Sequence, residues 1–152
     1  MSSGPTQRVM IYVQHLLGVG HFRRAQQLAI ALTQRRFRVD LVSGGMPMSR
    51  PGMPGVTLHQ LPPTYSADAS FSRLLEANGD DIDETWREHR RQQLLALFDQ
   101  LSPQVLITET FPFGRRMMRF ELIPLLQRAG DSRDCLQIIS SIRDILQPKT
   151  KP

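Results

Sequence analysis

The most constraining feature of the sequence is a glycine turn that joins an apolar segment to an amphipathic one. Residues 8–15 (RVMIYVQH) are rich in β-branched and aromatic side chains and predict a strand. After the turn, which contains Gly18-Val19-Gly20-His21, apolar residues recur at helical spacing from about residue 21 to 35. A strand, a glycine turn and a helix in this order are typical of the first unit of a Rossmann-like α/β domain. The apolar helix positions are Phe22, Ala25, Leu28, Ala29 and Leu32.

Further strands and helices follow along the chain. The strands are predicted at residues 38–43, 56–61, 104–108 and 136–140, and the helices at about 82–101 and 116–128. Residues 62–79 show no sustained period and are expected to form a mobile loop. This order of elements predicts an α/β, doubly wound parallel sheet with strand order 3-2-1-4-5. We expect a Rossmann-like domain over residues 8–147, between a disordered N-terminus at 1–7 and a tail at 148–152.

The longest predicted helix combines an apolar face with a basic one. Asp81 and Glu84 stand at the spacing of a capping box, which predicts the start of the helix. A basic amphipathic surface suits contact with anionic lipid, but Glu84 and Glu88 dilute the charge and favour a solvated face. The basic residues assigned to that face are Arg87, His89, Arg90 and Arg91.

Composition and charge exclude several classes of protein. The 152 residues are 40% hydrophobic and 22% charged, as in globular domains, and the apolar runs are too short to cross a bilayer. A single cysteine, Cys135, excludes an internal disulfide and a cysteine-based zinc site, and no metal is expected. The net charge of +5 suits anionic ligands, but no nucleic-acid-binding motif accompanies it, so nucleic acid is not an expected partner. The first residues show no secretory signal, and a cytoplasmic location is the default expectation.

The sequence places its ligand site at the carboxyl edge of the sheet, where the strand order reverses. The loops at residues 16–23 and 109–116 meet there across a crevice. Gly18 and Gly20 let the backbone of the first loop approach a ligand closely. A dinucleotide-binding fingerprint would need a third glycine where Arg23 stands and an acidic residue at the end of the second strand, which is absent. Nicotinamide and flavin cofactors are therefore not expected.

A family resemblance covers roughly residues 8–147. It rests on four segments, RVMIYVQHLLGVGHFRRAQQLAIAL, RVDLVSGG, PQVLITETFPFGRR and ISSIRDIL. Together they resemble the N-terminal half of a GT-B glycosyltransferase of the family 28 type, related to the enzyme that adds N-acetylglucosamine during lipid II synthesis. The combination closely matches a subgroup of predicted glycosyltransferases.

The resemblance implies an inverting glycosyltransferase of which this chain is the acceptor-side domain. In such enzymes a second Rossmann-like domain binds the nucleotide sugar, so the donor-binding domain is expected to lie outside this chain, and the chain alone to be inactive. The donor is expected to be UDP-linked and to deliver a hexose or an N-acetylhexosamine. The acceptor would be a small molecule or a lipid-linked compound, the latter placing the protein at the membrane periphery. The resemblance implies no further cofactor.

The resemblance gives a role to His21, and the position of other residues near the crevice makes them candidates beside it. His21 is the candidate base that deprotonates the acceptor hydroxyl, or a contact for a substrate phosphate, and Glu109 is the second candidate catalytic residue. Plainer interpretations are a helix-capping histidine, a solvated loop acid paired with an arginine, and an ion pair between Arg143 and Asp144. Substrate contacts are expected from Gly18, Gly20, Arg23, Arg115, Arg143 and Asp144.

Two alternatives to a catalytic half stay open. The chain could be a non-catalytic binding subunit of a glycosyltransferase split between two polypeptides, or another nucleotide-binding Rossmann-like protein. If neighbouring strands are missing, the fifth strand is an unpaired edge, which predicts a tendency to form homodimers.

Overall fold

A five-stranded parallel sheet forms the centre of the fold in the computed structural model, which describes residues 6–49 and 52–143. Its strand order is β3-β2-β1-β6-β7, so the predicted Rossmann-like order of the five long strands is confirmed. Parallel pairing holds at every neighbouring pair of this sheet. The strands are β1 (Arg8–Val13), β2 (Arg38–Ser43), β3 (Val56–Gln60), β4 (Thr64–Ser66), β5 (Leu74–Glu76), β6 (Val105–Glu109) and β7 (Gln137–Ser141).

Helices cover both faces of the sheet. One face packs against α1 (Gly20–Gln34), and the other packs against α2 (Glu84–Leu101) and α3 (Arg119–Asp131). A short 3₁₀ helix, Arg116–Met118, leads into α3. No helix in the described part of the chain is long and apolar enough to cross a membrane.

The central strand β1 shows why the strands read as continuous apolar runs. Val9 and Ile11 point to the face covered by α1, while Met10 and Tyr12 point to the face covered by α2 and α3. Successive side chains of a strand alternate between faces, and a parallel sheet buries both of them. All four side chains are at most 1% exposed.

The edge strand β7 is less well covered than the central strand. Its residues pair with β6 on one side, and no described strand pairs with its other side. Ile138 and Ile139, which point to opposite faces, are 45% and 42% exposed. Both faces of the sheet are therefore partly open at this edge.

The segment predicted as a loop at residues 62–79 contains two short strands. β4 and β5 pair antiparallel and form a small ribbon beside the main sheet. The Thr64 hydroxyl donates to the Leu75 carbonyl at 2.8 Å, and the Ser66 amide donates to the Leu16 carbonyl at 3.0 Å. The prediction of a loop throughout this segment is therefore wrong. Strands of three residues are too short to show the alternation of apolar and polar residues by which a strand is predicted.

The N-cap of the long helix is not the predicted residue, Asp81. Asp83, directly before α2, is the N-cap, and its carboxylate accepts a hydrogen bond from the Trp86 amide at 2.8 Å. Asp81 is engaged elsewhere, because it pairs with Arg73 at 2.6 Å. The predicted boundaries of the other long elements agree with the structure to within three residues.

Arg90 lies in the interior, so its assignment to a solvated basic face is wrong. Its side chain is 0% exposed and forms an ion pair with the equally buried Glu121 of α3 at 2.8 Å. The guanidinium also donates to Gln14 and to the carbonyls of Gly44 and Pro62. The physical reason is helical spacing, since position 90 falls in the four-residue series of α2 that also buries Leu94 and Phe98. Arg90 thus joins α2 and α3 to the loops that follow β1, β2 and β3.

Candidate active site

The loop after β1 opens onto the carboxyl edge of the sheet, beside the reversal between β1 and β6. Gly18 lies in this loop, and Gly20 is the first residue of α1. Neither glycine has a positive φ, and a Cβ on either would meet no atom within 4 Å. The packing of the described residues therefore does not require glycine at either position, and the space beside them is open.

The N-terminus of α1 faces the same space with free backbone donors. No side chain caps the helix, and its first turn contains no acidic residue. The first backbone hydrogen bond of the helix is donated by Arg23 to the Val19 carbonyl at 2.9 Å. The amides of Gly20, His21 and Phe22 thus have no acceptor within the helix, and they carry the positive end of its dipole.

A contact between His21 and Glu109 lies at the centre of the site. Nδ1 of His21 is 2.7 Å from Oε2 of Glu109, the last residue of β6. The Glu109 side chain is 2% exposed, whereas the His21 side chain is 37% exposed. Because Nδ1 is turned to the buried carboxylate, Nε2 is the ring nitrogen available to a ligand. Within residues 6–49 and 52–143, Nε2 has no hydrogen-bond partner.

Glu109 is held by further partners. The Thr110 hydroxyl donates to Oε2 at 2.9 Å, and Nη1 of Arg24 lies 3.4 Å from Oε1. Burial alone raises the pKa of Glu109, but the hydrogen bonds from His21 and Thr110 and the charges of His21 and Arg24 outweigh it. The pKa of Glu109 is therefore lower than its ordinary value of 4.5, and the group is a carboxylate at neutral pH.

A concavity of about 340 Å³ opens beside His21. Its walls are strongly basic, and such walls suit an anionic ligand. Among the described residues, no group of three or more His, Cys, Asp or Glu side chains is arranged to hold a metal ion. Asp144, a predicted contact, lies outside the described residues. The lining residues are Gly20, His21, Arg23, Arg24, Gln27 and Arg143.

Arg115 is not among the residues that line this concavity. Its Nε donates to the Gln14 carbonyl at 2.7 Å, just beyond the end of β1. Its guanidinium carbon lies 5.9 Å from the centre of the Phe71 ring. Burial lowers the pKa of Arg115, while the negative charge of Glu109 opposes that effect. Arg115 therefore shares the carboxyl edge with Glu109, and its hydrogen bond holds the backbone after β1.

Two residues of this edge, Arg24 and His15, lie outside the set of predicted substrate contacts. Arg24 reaches across to β7, where its Nη2 donates to the Ser141 hydroxyl at 2.9 Å. Its position three residues after His21 puts both on one face of α1, which is a signal that the sequence contains. His15 is 5% exposed, and its Nε2 lies 3.1 Å from the Met46 carbonyl. No sequence pattern marks His15 as part of the site.

The fold is shared with known glycosyltransferases. The sequence matches no protein-family profile and none of the curated proteins. The apo UGT2 of Phytolacca americana is 18% identical with a TM-score of 0.54, and the match covers 90% of this chain and 29% of that one. SsfS6, a glycosyltransferase of Streptomyces sp. SF2575, is 14% identical with a TM-score of 0.56, and the match covers 94% and 41%.

At 18% and 14% sequence identity, the likeness shows a shared fold and nothing beyond it. The chain spans less than half the length of either solved glycosyltransferase. It therefore has the Rossmann-like α/β fold of one part of a GT-B glycosyltransferase, as the sequence resemblance implied.

Proposed function

We propose that this chain is the acceptor-side half of a nucleotide-sugar-dependent glycosyltransferase in which His21 is the catalytic base. The observation that carries the proposal is the 2.7 Å contact between His21 Nδ1 and Glu109 Oε2 at the open edge of a glycosyltransferase-like fold. An imidazole whose Nδ1 donates to a buried carboxylate has its lone pair on Nε2. Because the His21 side chain is 37% exposed, we infer that an acceptor hydroxyl can reach that lone pair.

The reaction is a direct displacement. Nε2 of His21 accepts the proton of the acceptor hydroxyl, and the oxygen forms a bond to the anomeric carbon of the sugar. The bond from that carbon to the phosphate oxygen breaks, and the nucleoside diphosphate leaves with the electron pair, which inverts the anomeric configuration. Glu109 is a positioning residue here, because its carboxylate is 2% exposed and stabilises the imidazolium that forms.

The basic concavity supports an anionic substrate group next to the base. Arg23, Arg24 and Arg143 line it together with the start of α1. Such donors can neutralise the charge that develops on a departing diphosphate without a metal ion. We take a UDP-linked hexose or N-acetylhexosamine as the donor, and a small-molecule or lipid-linked hydroxyl as the acceptor. Assignment to glycosyltransferase family 28 is part of this proposal.

The donor-binding half is assigned to polypeptide outside this chain. The support is length, since the matched solved glycosyltransferases are more than twice as long as the part that this chain matches. The catalytic unit is then either a longer protein containing this chain or a complex with a second polypeptide.

The test is sugar transfer by that catalytic unit, with a panel of UDP-sugars and with acceptors from lipid and small-molecule cell fractions. His21→Ala should lower kcat/KM by about 100-fold or more, the usual contribution of a general base. His89→Ala is the matched control, because His89 is exposed on α2 and its Nε2 contacts Gln93. Undiminished transfer by His21→Ala would remove the base from the proposal, and tight binding of a nicotinamide cofactor would favour another nucleotide-binding function.

A further inference from the structure

We propose that Arg24 is a positioning residue of the candidate site, which holds the Glu109 carboxylate in the orientation that presents Oε2 to His21. The effect of this positioning role on catalysis rests on the proposed function. The contacts themselves are a property of the folded chain and can be tested without any sugar transfer.

His21 and Arg24 contact the same carboxylate from one helix. His21 and Arg24 are separated by one turn of α1, so both reach β6 from the same helix face. They divide the carboxylate between them: Nδ1 of His21 lies 2.7 Å from Oε2, and Nη1 of Arg24 lies 3.4 Å from Oε1. Rotation of the carboxylate away from His21 would therefore also break the ion pair with Arg24.

The ion pair between Arg24 and Glu109 lies in the interior. Oε1 of Glu109 and Nη1 of Arg24 are both buried, and neither has a hydrogen-bond partner among the described residues. The ion pair at 3.4 Å is thus the interaction that compensates the buried charge on Oε1. Arg24 is itself anchored, because its Nη2 donates to the Ser141 hydroxyl on β7 at 2.9 Å.

Several charged or polar groups face Glu109, and among the described residues Arg24 is the arginine that forms an ion pair with it. From α1 come His21 and Arg24, from its own loop comes Thr110, and Arg115 acts from the loop before the 3₁₀ helix. Loss of the Arg24 charge leaves a buried carboxylate with less compensation. Its protonated form then becomes more favourable, and the bond to His21 weakens.

The experiment is a ¹³C NMR titration of the Glu109 carboxyl group in the folded chain. Arg24→Gln should raise the pKa of Glu109 by about one unit, the lower end of what an opposite charge at this distance contributes. Arg24→Lys, which keeps the charge, should restore more than half of that shift. Arg23→Gln is the matched control, because it removes the same charge one residue earlier from a residue with no ion pair to Glu109. Unchanged titration in Arg24→Gln, or an equal shift in Arg23→Gln, would overturn the proposal.

A second variant acts on the anchor and leaves the arginine in place. Ser141→Ala removes the acceptor of the Arg24 Nη2 hydrogen bond, and a smaller shift of the Glu109 pKa in the same direction is expected. In the transfer assay, Arg24→Gln should lower kcat with little change in the acceptor KM, and Arg24→Lys should recover activity. A shift in the titration without any transfer activity would leave the role of Arg24 intact and refute the proposed function instead.

Discussion

Arg90→Met replaces a fully buried guanidinium with an apolar side chain of similar length. Arg90 and Glu121 are both 0% exposed and lie 2.8 Å apart, so the substitution leaves a carboxylate buried without its counter-charge. The Tyr12 hydroxyl, which donates to the same oxygen at 2.5 Å, is the hydrogen-bond partner that remains. Removal of one member of a buried pair costs about 3–5 kcal/mol, against a total stability of about 5–15 kcal/mol for a domain.

The double variant Arg90→Met/Glu121→Leu distinguishes the cost of an unpaired buried charge from the cost of the surrounding hydrogen bonds. With both charges gone, no uncompensated charge is left in the interior, and such replacements are often close to neutral. The Gln14 side chain and the carbonyls of Gly44 and Pro62 still lose the hydrogen bond from Arg90, and the Tyr12 hydroxyl loses both partners, at about 1–3 kcal/mol per buried group. The loss of stability in the double variant should therefore be smaller than the sum of the two single losses by about 2 kcal/mol or more.

Urea denaturation followed by far-UV circular dichroism measures these free energies of unfolding. Arg87→Met is the matched control, because Arg87 sits on the same helix and pairs with Glu84, whose side chain is 90% exposed. Its loss should stay below about 1 kcal/mol. A loss below about 1 kcal/mol for Arg90→Met would contradict a buried ion pair. So would a double variant whose loss equals the sum of the losses in Arg90→Met and Glu121→Leu.

Three further outcomes are expected. Gly45→Ala should lose about 1–3 kcal/mol of stability in urea denaturation, because a Cβ there would overlap the His15 ring, whereas Gly20→Ala, which faces open space, should lose none. A stable Gly45→Ala would contradict the packing. Glu109 has a lowered pKa, so its contribution to stability is complete above its ordinary pKa of 4.5 and is lost as the pH falls through the lower folded-state value. Glu109→Gln should therefore lose less stability than the wild type on acidification below pH 4.5, measured by urea denaturation across pH, and equal losses would contradict the ion pair. The open edge at β7 should let the isolated chain dimerise at high concentration, and a monomer at every concentration in sedimentation would argue against that.

The architecture could be predicted because the spacing of apolar residues along the chain marks the long strands and helices. The apolar runs at residues 8–15 and 104–108 are long enough to mark strands buried on both faces, and the helix positions of α1 repeat at the correct spacing. The β4–β5 ribbon could not be predicted, since its strands have three residues each and are held by hydrogen bonds from Thr64 and Ser66. A local sequence pattern predicts poorly those segments whose structure is set by tertiary contacts.

The candidate site was predictable in position but not in its contacts. His21 comes after β1 and Glu109 ends the neighbouring strand β6, and the carboxyl edge brings such residues together. Their direct bond joins residues 88 apart in the sequence, and no spacing rule gives it. The burial of Arg90 was readable, because it continues an apolar four-residue series on α2, but its partner Glu121 on α3 was not.

The tautomer of His21 decides whether this residue can act as the base, and it is measured by ¹⁵N NMR of the imidazole in the folded chain above the pH at which the ring is protonated. A role of His21 as the base requires a proton on Nδ1, donated to Glu109, and a bare Nε2; Glu109→Ala, which removes the acceptor, should abolish this preference. A proton on Nε2 in the wild type would contradict this role of His21, because the nitrogen turned away from Glu109 would then have no lone pair to accept a hydroxyl proton.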